Sequence, residues 1–121
     1  MLLNDFYTLK TQEFAPDKLQ ATLVFNRAHK IFDGHFPGLP VVPGVCMMQI
    51  VREVTELAVD RKLKIATGDN LKFMAVINPD ERAEVSLTVT LKTDGDAYPV
   101  NATLYDGDVT FFKFKGTLQP V

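Results

Sequence analysis

Six glycines and prolines fall within the eleven residues from Gly34 to Gly44: Gly34, Pro37, Gly38, Pro40, Pro43 and Gly44. Neither a helix nor a central strand tolerates that density, because proline removes a backbone donor and glycine weakens both elements. Residues 28–44 are therefore expected to form an ordered loop. Its three prolines lower the entropy of the free chain, so the loop is stiff before anything binds to it.

On either side the pattern is regular. Residues 6–14 and 19–27 read as strands, separated by Pro16 and Asp17; the core of the second, Ala21-Thr22-Leu23-Val24-Phe25, is rich in β-branched and apolar side chains. A helix is expected over residues 45–62, with Met47, Ile50, Val51, Val54 and Ala58 at the spacing of one buried stripe. Its start, Val45-Cys46-Met47-Met48, has no polar face and is expected to be enclosed on every side. Its end, Asp60-Arg61-Lys62-Leu63-Lys64, places cations where the helix dipole favours them. Strands follow at residues 70–77, 84–92, 98–105 and 109–118. In the second of these Val85, Leu87, Val89 and Leu91 alternate with polar residues, and Asp94-Gly95 and Asp106-Gly107 supply turns. An antiparallel sheet around one long buried helix, an α+β architecture, satisfies this order.

At 121 residues the chain is expected to form a single domain spanning residues 1–121, small enough that a partner subunit would help its stability. The formal net charge of -2 argues against nucleic acid as a partner and gives no reason to expect an anionic membrane. Cys46 is the one cysteine, so no internal disulfide forms, which fits a reducing compartment. Residues 1–5 lack a basic segment followed by an apolar run, and no apolar run approaches transmembrane length, so a cytoplasmic protein is expected. No metal-ligand cluster and no phosphate loop is visible.

The segment His35-Phe36-Pro37-Gly38-Leu39-Pro40-Val41-Val42-Pro43-Gly44-Val45 resembles the HFPGxPxxPGV hallmark of the β-hydroxyacyl-acyl-carrier-protein dehydratases, hotdog-fold enzymes of fatty acid synthesis. The lead-in His29-Lys30-Ile31-Phe32-Asp33-Gly34 and the downstream Gly68-Asp69-Asn70-Leu71-Lys72-Phe73 look similar to the same family, so the likeness covers most of the chain. The resemblance implies a hotdog fold, with the antiparallel sheet wrapped round a long central helix. It implies a reaction in which water is eliminated from a β-hydroxyacyl thioester on acyl carrier protein, in fatty acid or related polyene or polyketide synthesis, with no cofactor. It also implies a homodimer, or an assembly of dimers, with the site at the subunit interface.

By the same resemblance His35 is the base, and imidazole suits that role with its unperturbed pKa of about 6.5. The Val41 carbonyl would hold the other ring nitrogen. The N–H of Gly44, at the helix start, would face the thioester carbonyl, where free N–H groups and the dipole favour developing negative charge. Phe36, Pro43 and Met48 are taken as substrate-lining residues.

The family's second catalytic residue is a carboxylate fourteen positions after the His, and here that position is Gln49. An amide is no general acid at neutral pH, though it both donates and accepts hydrogen bonds. One helical turn later stands Glu53, where many family members carry Gln, so the pair looks exchanged. Residues four apart share a helix face. Two readings of Glu53 stay open: it reaches the site, directly or through water, or it is solvated on the stripe Gln49, Glu53, Glu56, Asp60.

Arg52 and Glu56 read as a surface ion pair, His29 as a loop or surface histidine and Cys46 as a small buried hydrophobe. Arg61, Lys62, Lys64, Lys113 and Lys115 either dock an acidic carrier protein or form a solvated face. Two other functions fit the same residues: a catalytically impaired subunit that binds an acyl chain or pairs with an active paralogue, and a thioesterase of the same fold.

Overall fold

In a computed structural model, residues 1–34 and 38–121 are described; His35, Phe36 and Pro37 of the motif lie outside them. Two strands, β1 (Tyr7–Phe14) and β2 (Lys18–Phe25), precede a short helical turn, α1 (Ile31–Gly34), and the long helix α2 (Gly44–Val59). Four strands follow: β3 (Leu63–Phe73), β4 (Glu84–Leu91), β5 (Tyr98–Asp106) and β6 (Val109–Pro120). All pair antiparallel in one sheet of order β1-β2-β4-β5-β6-β3. This six-stranded sheet with its central helix is the α+β arrangement expected. No helix among the described residues is long and apolar enough to cross a membrane.

Period-two alternation aligns rows of apolar side chains across the strands. Ala21 faces Leu87, which faces Leu104, which faces Phe112. The next row runs Leu19, Val89, Ala102, Phe114. All eight are buried, together with Met47, Ile50, Val51 and Val54 of the helix stripe. Each such large aliphatic or aromatic side chain contributes about 1.5–3 kcal/mol on burial, so sheet face and helix stripe hold each other.

Several expectations need correction. A helical turn, α1, forms inside the expected loop, because His29 caps it: its Nδ1 accepts the Ile31 N–H at 3.1 Å. His29 lies in the loop before α1, as one of its two readings had it, but its ring, edge-on to Phe6 and with Nε2 3.1 Å from Asp5 Oδ2, is largely covered rather than a surface group. Helix α2 stops at Val59, where Asp60 turns left-handed (φ 55°) and its N–H returns to the Glu56 carbonyl. Arg61, Lys62 and Lys64 therefore lie beyond the helix and do not cap its dipole.

β3 begins at Leu63, seven residues before the expected start at Asn70, and ends at Phe73. It is a strand because β6 pairs with it along its length, with irregularities at Ile65/Thr67 and Gly68/Asn70 that absorb the glycine. Nothing among the described residues pairs with its outer edge, and most of its side chains are exposed. Last, the apolar start of α2 is not enclosed on every side: Val45 is 71% exposed.

The close approach of β3 to β6 depends on Gly116, which faces Gly68 across the ladder. A Cβ there would run into the Thr67 carbonyl oxygen and the Phe114 ring. Gly116→Ala is expected to cost about 1–3 kcal/mol of stability through overpacking. Thermal unfolding should register a midpoint lower by about 4 °C or more; an unchanged midpoint would show that the two backbones part without strain.

Candidate functional site

Two segments meet beside the start of α2. The Val42 N–H donates to the Ile77 carbonyl at 2.9 Å, laying the proline-rich strap against residues 74–77. The Met74 N–H donates to the Phe111 carbonyl at 2.8 Å, fixing that second segment to β6. Between them lies an apolar groove of about 450 Å³, lined by Val41, Val42, Gly44, Met47 and the run Phe73-Met74-Ala75-Val76. Phe73, Met74 and Val76 are more than half exposed, as is Leu39.

Gly44 is required here by close approach. A Cβ on it would come within 2.8 Å of the Phe73 ring, which is itself stacked on Phe112 at 5.0 Å. The helix start beside that ring is open. Pro43 at the N-cap offers no side-chain cap, and its carbonyl receives the N–H groups of Cys46 and Met47. The N–H groups of Gly44 and Val45 have no partner among the described residues. Free N–H groups at the positive end of a helix dipole suit an oxygen that gains negative charge. The groove thus joins an apolar lining to a small electropositive end.

Gln49 and Glu53 do not line this groove. They lie on α2 bonded to each other, with Gln49 Nε2 donating to Glu53 Oε2 at 2.7 Å. Glu53 is 0% exposed, so the solvated reading is wrong. Its Oε2 also accepts the Leu2 N–H at 2.9 Å, while Oε1 accepts the Leu3 N–H at 2.8 Å and the Tyr7 hydroxyl at 3.2 Å. A carboxylate offers about four acceptor sites, and four donors occupy them here. Burial pushes the Tyr7 hydroxyl pKa well above the usual tyrosine range, and the adjoining Glu53 charge pushes it the same way.

The remaining candidates sort themselves by packing. Met48 is half-buried against the core, and Cys46 is buried with its thiol pKa raised, first by burial and then by the Glu53 charge. Arg52 and Glu56 pair at 3.1 Å, but Glu56 is buried and also accepts the Leu63 N–H at 2.8 Å, so the pair clamps the end of α2 to the start of β3. Lys113 and Lys115 point outward on β6, opposite Lys72 and Asn70 of β3.

Sequence reasoning missed Phe73-Met74-Ala75-Val76 as a groove wall. Four successive apolar residues without alternation were the available signal. It also missed the Tyr7 hydroxyl and the N–H groups of Leu2 and Leu3 as holders of Glu53; backbone donors leave no signal in a sequence.

The Tyr7 shift has a sign. Its neutral form is favoured in the folded chain, while an unfolded tyrosine ionises near about pH 10. The stability it contributes is present below that pH and falls as pH rises above it. Tyr7→Phe should therefore flatten the alkaline limb of stability measured by urea unfolding at about pH 8 and about pH 11; an identical limb in both proteins would mean that Tyr7 ionises freely.

Comparison with known proteins finds relatives of this chain. Two relatives are 3-hydroxyacyl-[acyl-carrier-protein] dehydratases FabZ. The protein of Caulobacter sp. (strain K31) is 31% identical over 89 residues, covering 73% of this chain and 50% of the relative. That of Nitratidesulfovibrio vulgaris (strain DP4) is 32% identical over 83 residues, 60% of this chain and 54% of the relative. The chain thus spans about half the length of the curated relatives it matches. Among solved structures, the dehydratase heterocomplex ApeI:P from Xenorhabdus doucetiae contains a chain with the same fold, at TM-score 0.74 and 19% identity, over 92% of this chain and 96% of that one. An uncharacterized protein from Erwinia carotovora subsp. atroseptica superposes with TM-score 0.66 at 20% identity over 94% of both chains. The family model described as ApeI dehydratase matches residues 11–108, and the chain belongs to this ApeI-like dehydratase family.

Proposed function

We propose that this chain is a 3-hydroxyacyl thioester dehydratase of the hotdog fold, acting on an acyl group carried on acyl carrier protein. The observation that carries the reading is the apolar groove lined by Gly44, whose N–H has no partner among the described residues. The acyl chain takes the lining of Val41, Met47 and Phe73, and the thioester carbonyl takes the Gly44 N–H. His35 is proposed to remove a proton from the carbon next to the thioester. The Gly44 N–H stabilises the enolate-like oxygen.

The departing hydroxyl needs a proton, and α2 offers no free acid. Gln49 cannot supply one, and the oxygens of Glu53 are already filled by donors. In the proposed reaction the imidazolium of His35 returns the proton it took, and Gln49 orients the hydroxyl. The C3–O bond breaks, the C2=C3 bond forms, and water leaves. Phe36, Pro43 and Met48 are proposed to border the substrate.

A second copy of the chain is proposed to complete the site. The uncovered edge of β3 and the exposed apolar residues Leu71, Phe73, Met74 and Val76 support this, as does the placing of Gln49 outside the groove lining. A second reading has one specific support. With both acids in the middle of α2 buried and engaged, a paralogous subunit could bring the missing carboxylate, as a heterocomplex would allow.

The test is to follow enoyl thioester and free thiol from a 3-hydroxyacyl carrier-protein substrate. Enoyl product from the chain alone is expected, with a loss of about a hundredfold or more in His35→Ala. Free thiol without enoyl product would favour a thioesterase. Enoyl product only after a hotdog paralogue is added would favour the mixed assembly.

A further inference from the structure

We infer that Glu53 is a positioning residue: it fixes the side-chain amide of Gln49, and residues 2 and 3 hold Glu53 for that task. The buried carboxylate touches one side chain of the proposed site, Gln49, at 2.7 Å. An ionised carboxylate only accepts hydrogen bonds, so the NH2 end of Gln49 faces it. A glutamine in water samples both orientations of its amide. Here one charge-assisted bond selects one of them, leaving the Gln49 Oε1 and one N–H for a ligand. That pair fits a hydroxyl, which donates and accepts at once, better than a ketone, which only accepts.

Glu53 has no slack of its own. Three further donors, the N–H groups of Leu2 and Leu3 and the Tyr7 hydroxyl, arrive from one compact turn. That turn is closed by the Phe6 N–H on the Leu2 carbonyl and the Asn4 N–H on the Tyr7 carbonyl, both 2.7 Å, with Asn4 left-handed at φ 66°. The side chains of Leu2 and Leu3 pack against the core. Moving Glu53 therefore means undoing the turn. The line of hydrogen bonds runs from residues 2 and 3 through Glu53 to Gln49.

The consequence for the reaction rests on the proposed role of Gln49 toward the substrate hydroxyl. Two measurements separate the two claims. In the wild-type chain, nuclear Overhauser contacts should join the Gln49 side-chain NH2 protons to the Leu2 N–H, since both donate to the same oxygen. Their absence overturns the positioning, whether or not the protein is active. In steady-state assays Glu53→Gln should lower kcat about tenfold or more and leave KM within about twofold, because an amide at 53 no longer dictates the orientation of its neighbour. The folded variant is recognised by an unchanged thermal midpoint or, if it is less stable, by assay below its midpoint. Unchanged kcat in a folded variant overturns the positioning but leaves the dehydratase reading standing. A wild-type protein with no enoyl product overturns that reading, and the Overhauser contacts then decide the positioning alone.

Discussion

A carboxylate without water around it is costly unless every lone pair finds a donor. Glu53 meets that condition with donors from three places: the N-terminal turn, the start of β1, and the preceding turn of its own helix. The chain start is thereby fastened to the middle of α2. Removing one partner would leave a buried charge short of a hydrogen bond, a loss of about 1–3 kcal/mol or more. The N-terminal turn carries Asp5 and Phe6. These reach His29 and, by ring stacking at 5.0 Å, Phe32 of α1. The single helical turn that leads into the motif is thus set by contacts that begin at Glu53.

The site draws on a different part of the same helix. Its first turn supplies N–H groups that have no partner among the described residues, and a glycine lets the Phe73 ring close over it. Apolar lining and helix dipole come from one junction, where the second half of the motif meets residues 73–76. The proposed thioester chemistry asks for both: an apolar place for an acyl chain and a fixed donor for one oxygen. Neither depends on a side-chain acid, so this half of the arrangement asks nothing of Gln49.

Much of the fold was legible because it follows from local periodicity. The alternation in β4 and the stripe Met47, Ile50, Val51, Val54 stand in the structure as read. What was not legible depends on partners distant in sequence. Beyond Leu63-Lys64-Ile65 the first part of β3 lacks an apolar alternation, and β6 lying beside it makes it a strand. The helix end was placed too late because the left-handed turn at Asp60 carries no glycine to announce it. Glu53 sits on what reads as a polar stripe; only the return of residues 2 and 3, some fifty positions away, makes that stripe an interior one. Gly44 and Val41 were found through a motif, whereas Phe73 became visible only once the fold brought it over Gly44.

The account is tested most directly by a crystal structure of the protein bound to a 3-hydroxyacyl pantetheine analogue that resists elimination. The account predicts the thioester oxygen on the Gly44 N–H and the acyl chain between Phe73 and Met47. It also predicts the 3-hydroxyl against Gln49, with the Gln49 NH2 still on Glu53. A carbonyl oxygen bound away from the start of α2, or a Glu53 carboxylate released from residues 2 and 3 to meet the ligand, would contradict it.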